Sequence, residues 1–186
     1  RLAIERIRNE AEALVRDGKA EIFLTDEATG PDRIGVPMIL AAAAVHTHLT
    51  RVGLRSFTSV NVRSAECLDT HTLAVLIGVG ATTVNPYLVE AALLSRHERG
   101  LYGDISREQA LANFRVSLED GLLKIMAKMG ISVISSYRGG YNFEAVGLSR
   151  AITADLFPGM PNKISGEGYE SLFLSASDRH RLAYAV

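Results

Sequence analysis

The feature that most constrains this chain is a change of hydrophobic period between Leu111 and Phe157. Leu111, Phe114, Leu118, Leu122, Ile125 and Met129 recur at intervals of three or four residues, which places them on one face of a long helix. Gly130 supplies the left-handed residue that ends such a helix. The next residues, Ile131-Ser132-Val133-Ile134-Ser135-Ser136, are rich in β-branched side chains and predict a short buried strand at Ile131–Ser135. Tyr137-Arg138-Gly139-Gly140 then turns the chain into a second helix, expected from Asn142 to Phe157. Helix, buried strand, glycine turn, helix is the order of an α/β protein with parallel strands, because parallel neighbours need a crossover and a helix is the usual one.

The same grammar recurs upstream. Leu2 to Val15 is a charged amphipathic helix stopped by Gly18, and Ala20–Leu24 follows as a strand. Thr25 to Gly35 is a polar loop. Pro37 suits the first turn of a helix that runs to Arg51. Ser56–Val62 alternates in polarity and predicts a strand with one more polar face. Asp69 suits a helix cap, the helix runs through Ile77, and a strand follows at Ala81–Val84. Pro86 opens a further helix to Glu98, and Ser106 to Gln109 fits a capping box before the long helix. After the Phe157–Pro161 breaker come a last short strand at Lys163–Ser165 and a helix from Tyr169 to Tyr184. The expected fold is one α/β domain over residues 1–186, with parallel βα units forming a partial, rudimentary TIM-barrel-like sheet and the long helix packed on it through Leu122 and Ile125. A full barrel of eight units needs roughly 250 residues, and this chain has 186.

Composition narrows the function classes. The chain is 47% hydrophobic and 22% charged with a net charge of −1, which gives a globular core and no basic footprint for nucleic acid. No apolar run reaches the roughly 18 residues of a membrane span. The single cysteine, Cys67, excludes an internal disulfide and an iron–sulfur cluster held by this segment alone. The start at Arg1, inside a helical pattern, reads as an excerpt from a longer polypeptide.

Several constellations have chemical potential. Gly139-Gly140 after a strand is a candidate phosphate cradle on backbone N–H groups, or simply the glycine turn that a short βα connection needs. The acidic loop Thr25–Asp32 follows a strand and therefore lies at the edge where α/β proteins place function. Asp26 and Glu27 suit acid–base work there, while Thr29, Gly30 and Pro31 are also ordinary loop formers, and the structural role is favoured. His46 and His48 are two apart and point to different faces of a helix, so they do not share a metal. Cys67 and His71 would form an i, i+4 thiol–imidazole pair if both were helical, although a free cysteine is usually a small core residue.

Long runs in this sequence resemble one family. KIMAKMGISVISSYRGGYNFEAVGLSR, LTDEATGPDRIGVPMILAAAAVHTHL, LRSFTSVNVRSAE and LIGVGATTVNPYL are similar to the large chain of glutamate synthase, in the central domain between its amidotransferase and FMN-binding domains. The resemblance covers about Glu21 to Gly168. It implies an oxidoreductase that makes glutamate from glutamine and 2-oxoglutarate, with FMN and a 3Fe–4S cluster elsewhere in the parent chain and no cofactor in this segment. It also implies partners: the amidotransferase and FMN-binding domains of the same chain, and either a small NADPH-oxidising subunit or ferredoxin. The expected location is the bacterial cytoplasm, or a plastid for a ferredoxin-dependent plant enzyme. No catalytic or metal residue of the family maps here. The segment is expected to be scaffold, with Asp26, Glu27, Thr29, Gly30, Tyr137 and Arg138 as domain-contact candidates on one edge. The competing reading is an FMN- or phosphate-binding barrel segment with Asp26, Arg138 and Gly139-Gly140 as its own oxidoreductase site. A pure interaction module is the third.

Overall fold

A computed structural model describes residues 1–185. In chain order the elements are α1 (Leu2–Arg16), β1 (Glu21–Thr25), α2 (Met38–Arg51), a 3-10 turn (Arg55–Phe57), β2 (Ser59–Arg63), α3 (Thr70–Gly78), β3 (Thr83–Asn85), α4 (Tyr87–Glu98), α5 (Arg107–Lys128), α6 (Ile134–Tyr137), β4 (Val146–Leu148), α7 (Arg150–Leu156), β5 (Ile164–Glu167) and α8 (Tyr169–Tyr184). Strands β1, β2 and β3 form one parallel sheet in that order, and β4 pairs with β5 in a second parallel sheet. The described residues form no closed barrel.

The first sheet has two unlike faces, as the pleat requires. Ile22, Leu24, Val60, Val62 and Val84 point to the helices and join the hydrophobic core. The alternate positions, Phe23, Asn61 and Thr83 in one row and Thr25, Arg63 and Asn85 in the next, point the other way. Asn61 is buried on that polar face and accepts a hydrogen bond from the Thr83 hydroxyl at 2.8 Å.

The core sits on α2. Ala41, Ala42, Ala43, Ala44, Val45 and Leu49 are all buried, and small side chains in succession let other elements approach α2 closely. It packs against α1, α3, α7 and the sheet. Asp155, at the end of α7, ties the second sheet region to the first: it accepts from Arg8 of α1 at 3.0 Å and from the Tyr169 hydroxyl at 3.0 Å.

Three expectations change. Ile131–Ser135 is not a strand. No ladder partner reaches it, Val133 and Ile134 are exposed, and Ile134–Tyr137 winds into one helical turn instead. β-Propensity reflects fit to a pleated, half-buried surface, and without that surface the run has no reason to extend. The helix expected over Asn142–Phe157 is divided. Gly147 adopts φ +78° within β4, which pairs with β5, and only Arg150–Leu156 is helical. Finally, α5 does not lie on the sheet. It packs on α3 and α4, where a Cβ at Gly121 would come within 2.5 Å of the Thr70 methyl. Leu118 and Met126 are buried on that side, Leu122 and Ile125 are half-buried, and Met129 is exposed.

Candidate functional site at the carboxyl ends of the strands

The ends of β1, β2 and β3 meet around Asp26. Because the strands are parallel and in register, the residues just after each strand share one edge. Asp26 follows β1, Ser64 and Ala65 follow β2, and Tyr87 follows β3. The Asp26 carboxylate accepts from the Ser64 hydroxyl at 2.8 Å, from the Ala65 N–H at 2.9 Å and from the Tyr87 hydroxyl at 2.9 Å. Burial, followed by the hydrogen bond to Asp26, pushes the Tyr87 phenol up to about 12. Tyr87 is therefore a protonated donor at neutral pH. Glu27 turns outward, where Arg63 Nε lies 2.8 Å away and holds its carboxyl below the usual range. Arg63 also donates to Asn85 Oδ1 at 2.8 Å and covers the Tyr87 ring at 5.1 Å. Glu66 accepts the first N–H of α2, from Met38, at 2.7 Å, a cap that Pro37 has no side chain to provide.

A groove of about 390 Å³ opens over this edge. Asp26, Glu27, Glu66 and Tyr87 line one side, and Arg179 and His180 of α8 line the other. His180 Nε2 is 3.1 Å from the Pro31 carbonyl oxygen. Thr29 lines the groove and its N–H donates to the Asp26 carbonyl at 2.9 Å, while Gly30 and Arg33 exchange two backbone hydrogen bonds across a tight turn.

Tyr137, Arg138, Gly139 and Gly140 lie at the opposite edge. The Gly139 N–H donates to the Ile77 carbonyl at 3.2 Å, near the end of α3, and the Tyr141 N–H donates to Gly78 at 3.2 Å. Both acceptors precede β3, so this loop sits at the amino ends of the strands and shares no edge with Asp26. The shared edge was expected because Ile131–Ser135 read as a strand feeding the loop. The Gly140 N–H donates to the Tyr137 carbonyl at 3.1 Å, so the N–H groups that a phosphate cradle requires already have partners. Tyr137 is buried and donates to the Ala74 carbonyl at 3.1 Å.

Beside this loop His46 and Arg55 interlock. Arg55 Nε donates to His46 Nδ1 at 2.9 Å, Nη1 to the Thr58 carbonyl at 2.6 Å and Nη2 to the Gly80 carbonyl at 2.8 Å. Burial, and then the Arg55 charge, lower His46 to about 4, so the ring is neutral and Nε2 carries its proton. His48 lies on another face of α2 and meets Glu12 at 2.6 Å. Arg138 Nε is buried with no hydrogen-bond partner among the described residues.

Cys67 precedes α3, so it forms no helical pair with His71. Burial, then Asp69, push its thiol up to about 11, which removes thiolate chemistry at neutral pH. Of the residues at the Asp26 edge, sequence reasoning named Asp26, Glu27, Thr29 and Gly30 but missed Arg63, Ser64, Glu66 and Tyr87. The signal was available: each lies at or just beyond the end of a strand expected in the same parallel sheet.

Comparison with known proteins adds the following. Residues 1–149 match the family model described as the glutamate synthase central domain. The NADPH glutamate synthase large chain of Azospirillum brasilense is 58% identical over 182 residues, covering 98% of this chain and 12% of that protein. The NADPH large chain of Bacillus subtilis is 38% identical over 175 residues, covering 94% of this chain and 11% of that one. The chloroplastic ferredoxin-dependent glutamate synthase of Oryza sativa is 38% identical over 175 residues, covering 88% and 11%. The chain thus spans about one-eighth of the length of the first of these relatives.

Proposed function

The chain belongs to the glutamate synthase central-domain family, and from that premise we propose that it is the rigid segment holding the ammonia-releasing and ammonia-consuming sites of a glutamate synthase in fixed relation. The parent polypeptide makes glutamate from glutamine and 2-oxoglutarate. FMN and a 3Fe–4S cluster reside in its downstream domain, and its amidotransferase domain lies upstream. The 58% identity to an NADPH-type bacterial chain favours NADPH as electron source, through a small partner subunit, in a bacterial cytoplasm. No helix among the described residues is long and apolar enough to cross a membrane.

The observation that carries the scaffold reading is the engagement of Asp26. Both of its oxygens are occupied by groups that directly follow β2 and β3, so the carboxylate best placed for chemistry instead ties the three strand ends together. The engaged N–H groups of Gly139 and Gly140 point the same way. Packed elements keep a spacing that a flexible linker loses. The barrel-like reading belongs to this proposal too. The polar face of the first sheet, with Asn61, Arg63 and Thr83, points away from the helices as the inner wall of an incomplete barrel does.

Arg138 offers the cleanest test, because its side chain makes no hydrogen bond or ion pair among the described residues that folding would lose. Arg138→Ala in the full-length enzyme is expected to raise the ratio of glutamine consumed to glutamate formed. The ammonia-dependent and glutaminase half-reactions should each stay near the parent rate. A ratio fixed at the parent value while both half-reactions fall together would place Arg138 in chemistry or folding and remove it from coupling.

A further inference from the structure

We propose that the outer edge of β1 is a docking edge that takes up an extended segment of the same longer polypeptide as a parallel strand. The hydrogen-bond ladder defines this edge. Ser59 N–H donates to the Ala20 carbonyl at 2.8 Å in a parallel register that pairs Ile22 with Val60 and Leu24 with Val62. In such a ladder alternate residues of a strand face the same neighbour. Ala20, Ile22 and Leu24 therefore face β2, and Glu21, Phe23 and Thr25 direct their N–H and C=O groups outward. None of those outward groups has a backbone partner among the described residues.

β1 carries no proline and no bulge, and its one charged residue, Glu21, stands at its first position. A free edge normally carries a proline, a bulge, an inward charge or a covering element. Here Phe23 is 64% exposed, and the strand is regular along its five paired residues. On the helix side of the edge lies a cleft of about 260 Å³, walled by Ile7 and Leu14 of α1, by Leu24 and by Met38 of α2, with the charged Arg6, Glu10 and Arg33 at its rim. That is where the inward side chains of one more strand would sit, apolar ones against Ile7, Leu14 and Met38 and polar ones towards Arg6, Glu10 and Arg33.

The helix layer specifies the occupant and its direction. Ala11 and Val15 of α1 share one core cluster with Ile22, Val60, Val45 and Leu49, so α1 and α2 cover the same face of the sheet. Helix α2 is the crossover from β1 to β2. Helix α1 stands in the same relation to β1, beside α2 and next to the outer edge. A crossover between parallel strands is right-handed in nearly all proteins, so a strand delivered through α1 lands on that outer edge, parallel to β1. Most of the polypeptide of the relatives lies outside this segment, which covers 12% of the Azospirillum chain.

Hydrogen–deuterium exchange on the full-length polypeptide, with fragmentation that resolves single amides, tests the edge itself. The Phe23 and Thr25 amides are expected to be protected to within about tenfold of Ile22 and Leu24, as ladder amides are. Exchange of Phe23 and Thr25 at the rate of the exposed Asp32 amide would overturn the proposal. A benzophenone side chain introduced at Phe23 then identifies the occupant, because a paired strand places its backbone about 5 Å away. Crosslinking to a segment of the same chain outside these residues, unchanged on dilution, is the expected result. A crosslink to a second copy or to another protein overturns the assignment. Phe23→Pro supplies an independent reading, since proline is tolerated only where the strand N–H is free. In the full-length protein Phe23→Pro should lower the unfolding temperature of this domain about as much as Leu24→Pro, which breaks the β1–β2 ladder. A Phe23→Pro protein as stable as its parent would show an empty edge.

Discussion

The two ends of the three-stranded sheet are held by opposite charges, and the backbone dictates which charge goes where. At the carboxyl ends of the strands the chain turns into helices, whose first N–H groups lack intrahelical acceptors. Carboxylates gather there. Asp26 accepts from Ala65, Glu66 from Met38 at the start of α2, and Asp69 from Thr72 at the start of α3. At the amino ends the connections that lead from the helices into β2 and β3 present backbone carbonyls, and a cation gathers two of them: Arg55 donates to Thr58 and Gly80. Exchanging the two side chains would put an anion against carbonyls and a cation against N–H groups. The signs follow from the direction of the strands, as they do at the ends of a single helix dipole.

The largest expected effect tests how tightly the amino end is packed. Gly80 has φ +117°, and a Cβ there would lie 2.1 Å from His46 Cγ, in the ring that Arg55 fixes. Gly80→Ala is expected to destabilise the protein by more than about 3 kcal/mol, through overpacking and left-handed strain together. Gly30, at the carboxyl end, has nothing within 4 Å of the same position. Gly30→Ala should stay within about 0.5 kcal/mol. Urea unfolding of both variants reads the difference, and equal losses would mean that the amino end is no tighter than the loop.

Removing the charges comes next. Asp26→Ala leaves the Ala65 N–H and the Ser64 and Tyr87 hydroxyls without their acceptor, and should cost about 3 kcal/mol. Arg55→Ala frees two carbonyls and His46 Nδ1, and should cost about 2 kcal/mol, because carbonyls tolerate lost partners better than N–H groups do. A cost below about 1 kcal/mol for Asp26→Ala would show that water replaces the carboxylate easily, and the contrast between the ends would fail.

Acid should separate the ends further. The folded His46 titrates near 4, against an ordinary value of 6.5. Above 6.5 the ring is neutral in both states and its contribution to stability is complete. As pH falls from 6.5 towards 4 the unfolded chain takes up a proton that the folded ring refuses, so stability declines by at most about 3 kcal/mol and then levels off. NMR titration of His46 and unfolding measured across that window check both halves. In Arg55→Met the ring should titrate somewhat higher, though still below 6.5, because burial is the larger cause.

What could be read in the sequence follows from the same geometry. β1 and β2 were legible, within a few residues at their ends, because a glycine stop precedes each of the runs Ala20–Leu24 and Ser56–Val62, although Ser56 and Phe57 of the second lie in the 3-10 turn. The run at Ile131 has the same composition but lacks a neighbour, and neighbours are supplied by distant parts of the chain. Asp26 could be singled out because it follows a strand and sits in an acidic loop. Arg63, Ser64 and Tyr87 also lie at or just beyond expected strands, but it is the register, with Thr25 beside Arg63 and Arg63 beside Asn85, that brings them around Asp26. Arg55 and His46 are nine residues apart in separate elements, and nothing local marks their pairing.

The smallest expected effect separates charge from hydrogen-bond satisfaction at the carboxyl end. Glu27 stands next to Asp26 and carries the same charge, but its carboxylate meets Arg63 and the Thr25 hydroxyl in solvent. Water and salt replace such a partner readily, and exposed ion pairs often contribute nothing measurable. Arg63 keeps Asn85 and the face of Tyr87 when Glu27 is neutralised. Glu27→Gln should therefore unfold at the parent's denaturant midpoint in both low and high salt, while Asp26→Asn shifts it clearly in both. If Glu27→Gln loses as much as Asp26→Asn, and salt erases both losses, then negative potential holds this end of the sheet, and the N–H and hydroxyl donors around Asp26 are incidental to it.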